Sequence, residues 1–286
     1  MPRLAPFVLL LATVLAAQAP PAKAPSLPDW VRAENNIAYD RHKETVLDVL
    51  QPSAPVKGPR PGVIVIHGGG WSGGAKADAW PIYCLPYLER GFVVANVEYR
   101  LAKVATAPAA VNDVLRASQW FFRNAKKCNV DTKRIIVTGG SAGGHLALMV
   151  GMTPRSAKLG PPAKVAAVVS VHGITDVPDW VSMLNKRGST VAWLPEQAGR
   201  LELAHKVSPM TYVRAGLPPI LTVHGDSDEL VPYEQVTRLT KALQDKGVDA
   251  QLITVAGGKH GFPKEKWNEL YPQIFAWLKS HGILRD

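Results

Sequence analysis

The chain has 286 residues, of which 47% are hydrophobic and 20% charged. Such a composition is too apolar for a disordered polymer, and the length suits one large α/β domain or two small ones rather than an enzyme domain with a full-sized companion. With 33 Lys+Arg against 23 Asp+Glu the net charge is +10, so nucleic acid, an anionic surface and plain basicity all stay open until the charges are located.

Met1-Pro2-Arg3 precedes an uncharged stretch, Leu4 to Ala22, whose apolar centre runs from Phe7 to Leu15. A cationic start, a short apolar core and small residues after it predict a secretory signal peptide over residues 1–19, cut near 16–19 and preferably after Ala16 or Ala17. The stretch is too short and too proline-flanked for a stable membrane span. The expected location is therefore secreted or periplasmic. Residues 20–33, rich in Pro and Ala, read as a linker, and 34–286 as one folded domain. Cys84 and Cys128 either bridge or stay apart as buried thiols. No Cys/His spacing suggests zinc, and no metal is expected.

In chain order, Asn36–Asp40 and Glu44–Leu50 read as a strand pair, and Gly62–Ile66 as a buried strand. Then follow a helix over 78–90, a strand Phe92–Val97, a helix over 108–127, a strand Ile135–Thr138 and a helix over 142–152. Val165–Val171 and Ile220–Val223 are further buried strands, 232–246 a helix capped by Gly247, Gln251–Val255 the last strand and 264–280 the last helix. Alternation of this kind predicts a mostly parallel sheet with helices on both faces. The segment 173–215 interrupts it and reads either as an insertion over the carboxyl edge of the sheet that helps shape a pocket, the favoured reading, or as a longer helical connection.

Gly139-Gly-Ser-Ala-Gly143 matches the G-x-S-x-G turn that lifts a serine above a sheet, and it lies between a predicted strand and a small-residue helix. Glycines on either side let the backbone bend without side-chain clashes. Ser141 is thus the candidate nucleophile. His67-Gly-Gly-Gly-Trp71 ends another predicted strand, and acyl transfer needs N–H donors aimed at a developing oxyanion. Gly69, Gly70 and Ala142 are the candidate donors, with His67 structural. Asp226 and Asp228 both follow the strand at 220–223; Asp228 lies further into the loop and is the candidate acid, leaving Asp226 to cap the turn. His260, on a glycine-flanked loop after the last strand, completes the chain order Ser, Asp, His and is the candidate base. Trp71, Trp180 and Trp193 are candidates for an aromatic substrate pocket, with core packing the alternative. Arg116, Arg123, Lys126, Lys127, Lys133 and Arg134 read as a solvated basic face away from the site, and no nucleic-acid motif accompanies them.

Together with Leu47-Asp-Val49, Glu98-Tyr-Arg-Leu101, Gly140-Ser-Ala-Gly-Gly-His-Leu-Ala147 and His224-Gly-Asp-Ser-Asp228, these motifs resemble the α/β-hydrolase serine esterases. The likeness is to the bacterial feruloyl-esterase-like and acetyl-esterase branch, near the hormone-sensitive-lipase-type enzymes. It implies an α/β-hydrolase fold with an eight-stranded, mostly parallel central sheet and a small cap-like insertion. It also implies cofactor-free hydrolysis of short-chain or aryl esters, as small molecules or attached to plant polysaccharides. Amidase, peptidase or arylformamidase chemistry on the same fold, or a binding module without activity, are the competing readings. Oligomeric state is not legible.

Overall fold

A computed structural model of the chain describes residues 27–186 and 191–285. The expected signal peptide and the first part of the expected linker lie outside the described residues. The fold is built on one eight-stranded sheet, ordered β1-β2-β4-β3-β5-β6-β7-β8. Its strands are β1 (Val31–Ala38), β2 (Val46–Pro52), β3 (Arg60–Ile66), β4 (Val93–Val97), β5 (Val130–Gly140), β6 (Ala167–Val171), β7 (Ile220–Gly225) and β8 (Ala250–Val255). β1 pairs antiparallel with β2 and β2 with β4, while β4 through β8 run parallel. The sheet starts at Val31, inside the stretch expected to be linker, because Val31, Ala33 and Ile37 pair with β2.

Period-two alternation splits the core between two faces. Ile64, Ile66 and Val137 point to the side covered by α2 (Ala109–Arg123), α3 (Ala142–Met152), α4 (Val177–Lys186) and α6 (Tyr233–Gln244). Val63, Val65 and Ile136 face α1 (Leu85–Glu89) and α7 (Lys264–Ser280). Every residue of β3 is buried, as a central parallel strand requires. Every residue of α3 is buried too, which explains why its sequence is apolar or small all round.

Three expectations are corrected by the packing. The helix expected over 78–90 is a 3₁₀ turn (Lys76–Ala79), a π turn (Trp80–Cys84) and the short α1, because Pro81 and Pro86 each withhold a backbone donor. β5 begins at Val130, ahead of the apolar run that betrayed it. Arg134 is not solvated: it is 8% exposed, with its guanidinium donating to Asp131 at 2.9 Å and to the Pro59 carbonyl at 2.6 Å. Its basic neighbours do stand at the surface, with Arg116 and Lys127 paired to Asp40 and Glu34. Cys84 and Cys128 are both buried free thiols, and burial pushes both thiols up, away from thiolate.

The chain leaves β3 for β4 on one side and later returns to β5 on the other. That reversal opens a crevice beyond the carboxyl ends of β3 and β5, where ligands bind in sheets of this kind. His67–Gly70 and Ser141 follow those two strand ends.

Candidate active site

Ser141 sits between β5 and α3 with φ 56° and ψ −122°, a strained backbone for a residue with a side chain. Its neighbours show why glycine is required there. A Cβ on Gly139 would come within 2.3 Å of the Ile66 carbonyl oxygen, and one on Gly143 within 2.1 Å of the same atom. The turn is therefore wedged against the end of β3 by backbone, and only glycine fits. The strain lifts the Ser141 hydroxyl clear of the sheet.

His260 meets it. Ser141 Oγ lies 2.9 Å from His260 Nε2, and His260 Nδ1 donates to Asp228 Oδ2 at 2.8 Å. Ser141 and His260 are far apart in sequence and reach each other only because the loops after β5 and β8 meet over the same sheet edge. Asp228 is 6% exposed and fully engaged: Oδ1 accepts the backbone N–H groups of Leu230 and Val231, each at 2.9 Å. Burial opposes its ionisation. The hydrogen bonds from His224, His260 and the Val231 amide together outweigh that and hold the carboxyl well below the usual carboxylate range. Asp228 is thus a fixed negative charge that selects the Nδ1–H tautomer of His260 and leaves Nε2 as the acceptor for the serine proton.

Asp226 takes a different part. Its Oδ1 accepts the Gly257 N–H at 2.7 Å, tying the acid loop to the loop that carries His260. His224, which like His172 ends a buried strand, places Nε2 2.9 Å from the Val231 carbonyl and 3.3 Å from Asp228 Oδ2. It braces the acid from behind.

The glycine loop lies across the crevice. Gly69 and Gly70 have φ of +108° and +58°, and the Gly69 carbonyl accepts the amides of Ser72 and Gly73, closing a tight turn. A Cβ on Gly68 would sit 2.9 Å from the Gly140 carbonyl oxygen, so the loop rests directly on the serine turn. His67, with Nε2 3.0 Å from Glu98 Oε1 and its ring stacked on Tyr99, anchors the loop from below. Ala142 is the first residue of α3, so its N–H has no acceptor within the helix. Gly69 and Gly70 border a cavity of about 450 Å³ that Gly68, Gly140, Ser141 and His260 also line, whereas Ala142 is fully buried and is not part of that lining.

Tyr83, His172 and Leu230 complete that lining. Sequence patterns missed them; His172 alone carried a signal, as a residue just past a buried strand. Burial, then the neighbouring His260 and His224, push the His172 imidazole down to about 3, so it stands neutral beside His260 with ring centroids 4.6 Å apart.

The tryptophans are elsewhere. Trp71 and Trp193 are fully buried and stacked on each other at 4.3 Å, and the Trp71 indole N–H reaches His145 Nδ1 at 3.2 Å. Trp180 packs edge-on against Trp71 and donates to the Leu230 carbonyl at 2.8 Å. None of the three lines the catalytic cavity, so the expected aromatic pocket is core packing. The same holds for the insertion: among its described residues, α4, α5 (Arg200–Lys206) and the 3₁₀ turn Pro209–Tyr212 supply no cavity wall. Its contribution to the site is the Trp180 bond that steadies Leu230. A larger groove of about 560 Å³ between α4 and α5 is lined by Val181, Leu194 and Leu201 among others, and none of the candidate triad residues reaches it.

Residues 47–243 match the family model described as BD-FAE. The chain belongs to the BD-FAE family. The matched span includes Ser141 and Asp228 and stops short of His260. Among curated proteins it is 28% identical to esterase LipQ of Mycobacterium tuberculosis, over 72% of this chain and 51% of that protein. It is also 28% identical to the acylamino-acid-releasing enzyme of Mus musculus, over 87% of this chain and 35% of that one. The chain thus spans about half, or less, of the length of these relatives. In solved structures, a truncated carbohydrate esterase from gut microbiota superposes with a TM-score of 0.74 at 26% identity, covering 90% of this chain and all of that one. The apo form of Thermogutta terrifontis esterase 2 gives 0.73 at 25% identity, over 92% of this chain and 98% of that one. The α/β-hydrolase fold read from the motifs is the fold of this BD-FAE chain.

Proposed function

We propose that this BD-FAE protein is an exported serine carboxylic ester hydrolase, acting on short-chain or aryl esters of acetyl or feruloyl type, free or attached to plant polysaccharides. The observation that carries the reading is the continuous relay from Ser141 Oγ through His260 to the buried Asp228, at 2.9 and 2.8 Å. Ser141 attacks the ester carbonyl while His260 Nε2 takes its proton, and Asp228 stabilises the imidazolium so formed. The amides of Gly69, Gly70 and Ala142 receive the oxyanion, and removing one such donor typically costs about a hundred- to a thousandfold in turnover. Water then attacks the acyl-enzyme with His260 again as base. The esterase names carried by LipQ and the structural neighbours support the ester substrate. Export rests on the signal-like residues 1–19.

The decisive comparison is Ser141→Ala against wild type on p-nitrophenyl acetate and methyl ferulate. Loss of both activities in a folded variant is expected; retention of either would sink the mechanism. Similarity to the acylamino-acid-releasing enzyme favours one second reading, amide hydrolysis at the same serine. An N-acetylaminoacyl anilide turned over faster than the matched ester would decide for it.

A further inference from the structure

Two polar atoms of the catalytic cavity take no part in the acyl-transfer steps above. They are the Tyr83 hydroxyl and Nε2 of His172, on residues that line the cavity together with Ser141 and His260. Tyr83 is 9% exposed and His172 6%. Among the described residues, nothing hydrogen-bonds the Tyr83 hydroxyl or either ring nitrogen of His172. Buried polar groups are normally satisfied within the fold, so these two are free to bond what enters. They also converge. A Cβ added to Gly140, the residue before the nucleophile, would lie 2.0 Å from the Tyr83 hydroxyl and 3.2 Å from His172 Nε2. The two atoms are therefore no farther apart than the sum of those distances, 5.2 Å. Two hydrogen bonds of about 2.8 Å to one shared oxygen reach across that span. Both groups are held in place. Tyr83 rests edge-on against Trp267 at 5.6 Å, and the bond from the Tyr271 hydroxyl to the Ile82 carbonyl pins its turn. His172 has φ 38°, a left-handed backbone that costs energy in a residue with a side chain, and its ring packs against both His260 and Phe262.

The chemistry orients what they meet. When the tetrahedral intermediate collapses, the bond between the carbonyl carbon and the alcohol oxygen breaks, and the proton that His260 took from Ser141 passes to that oxygen. The alcohol half therefore departs along His260, whose ring centroid is 4.6 Å from that of His172. Burial keeps the His172 imidazole neutral and pushes the Tyr83 hydroxyl up, so neither offers a charge to a carboxylate or an ammonium. A hydroxyl suits the pair in either tautomer of His172. It accepts from Nε2–H and donates to the tyrosine oxygen, or donates to a bare Nε2 and accepts from the tyrosine. A carbonyl can use both groups in one tautomer only. Leu230 is the one aliphatic side chain of the lining, which leaves little apolar surface to compete. On these grounds, and resting on the esterase reading above, we propose that Tyr83 and His172 are specificity-determining residues that bind a free hydroxyl on the alcohol half of the ester. Their place beside Gly140, next to the nucleophile, sets that hydroxyl close to the ester oxygen, as in a monoester of a vicinal diol.

The test holds the acyl group constant. 2-Hydroxyethyl acetate and 2-methoxyethyl acetate release alcohols of similar basicity, and only the first carries the free hydroxyl. Wild-type kcat/KM is expected to favour the hydroxyethyl ester about tenfold, the net worth of one good hydrogen bond, and in Tyr83→Phe the ratio is expected to fall close to one. His172→Leu should lower it in the same direction and serves if Tyr83→Phe does not fold, while His172→Gln, which keeps a polar group near the Nε2 position, should retain part of the preference. A disturbed triad slows both esters alike and leaves the ratio where it was. A wild-type ratio near one, or a ratio that neither Tyr83→Phe nor His172→Leu changes, would overturn the assignment. So would an effect of Tyr83→Phe confined to ethyl glycolate against ethyl methoxyacetate, where the hydroxyl sits on the acyl half. Wild type that hydrolyses p-nitrophenyl acetate without the preference sinks this assignment alone, whereas hydrolysis by Ser141→Ala would remove the site on which it rests.

Discussion

The two sides of the catalytic cavity are held by different physics. The nucleophile side, Gly68–Gly70 and Gly139–Gly143, is a contact of backbone against backbone, with almost no side chains between β3 and the serine turn. The acid–base side, Asp226–Val231 and Gly257–His260, consists of loops held by side-chain hydrogen bonds: Asp226 to Gly257, Asp228 to Leu230 and Val231, and His224 to Val231. Steric wedging tolerates no added atom and is indifferent to charge. Hydrogen-bonded loops tolerate shape changes and fail when a charge or donor is lost.

Asp228→Asn tests the charged side most severely. It keeps the shape but removes the fixed charge and favours the wrong tautomer of His260, so kcat is expected to drop roughly ten-thousandfold. Asp226→Asn retains an oxygen acceptor for Gly257 and should cost only a few-fold. The opposite ranking, read from esterase kinetics on the two variants, would exchange their roles.

On the steric side, Gly143→Ala drives a Cβ to 2.1 Å from the Ile66 carbonyl and 2.7 Å from that of His67. Neither atom can yield, so loss of folded, active protein is expected. Gly140→Ala collides instead with the Tyr83 hydroxyl at 2.0 Å, the far end of a side chain. Tyr83→Phe should therefore restore part of the thermal stability of Gly140→Ala and none of that of Gly143→Ala. Equal behaviour of the two glycines in thermal melts would contradict the wedging picture.

His224 gives a smaller test. Its removal by His224→Phe leaves the Asp228 carboxylate with one donor fewer, so protonation of the acid–base pair becomes easier. The sign follows from the depressed Asp228 carboxyl, whose ionised form those donors favour. The acid limb of kcat/KM should move to higher pH with about a tenfold fall in kcat, and His224→Gln, which keeps an N–H, should recover much of it. A uniform loss at all pH values without rescue by glutamine would make His224 merely structural.

Smallest is an effect on stability that leaves the chemistry alone. His145 is fully buried, and burial lowers its imidazole from 6.5 to about 4. A base depressed in the folded state stabilises the fold above its unfolded pKa and loses that contribution as pH falls towards the folded value. Between pH 7 and 5 this costs about 2 kcal/mol, so denaturation midpoints should fall in acid, and His145→Gln should flatten that slope. A slope that His145→Gln leaves unaltered would refute it.

The same division explains what could be read from the sequence. The serine turn, the glycine loop and the strands along the chain were legible because glycine placement and apolar runs are local consequences of backbone geometry. Asp228 and His260 followed from chain order. The roles of Trp71, Trp180 and Trp193 were not legible, since whether a ring faces a cavity or another ring depends on which elements pack together. Arg134 belongs with them: in a basic stretch it looks solvated, and only the Pro59 and Ile283 carbonyls, brought in from distant segments, reveal it as buried. Tyr83 was hidden for a related reason, because two prolines turned an apparent helix into the bend that presents it to the site.

The central claim is that Ser141 is the nucleophile, activated through His260. An organophosphate such as paraoxon, followed by intact-protein and peptide mass spectrometry, tests it directly. One diethylphosphoryl adduct per chain, mapped to Ser141 and accompanied by full loss of esterase activity, is the predicted result. An adduct on another residue, or activity surviving complete modification of Ser141, would contradict it.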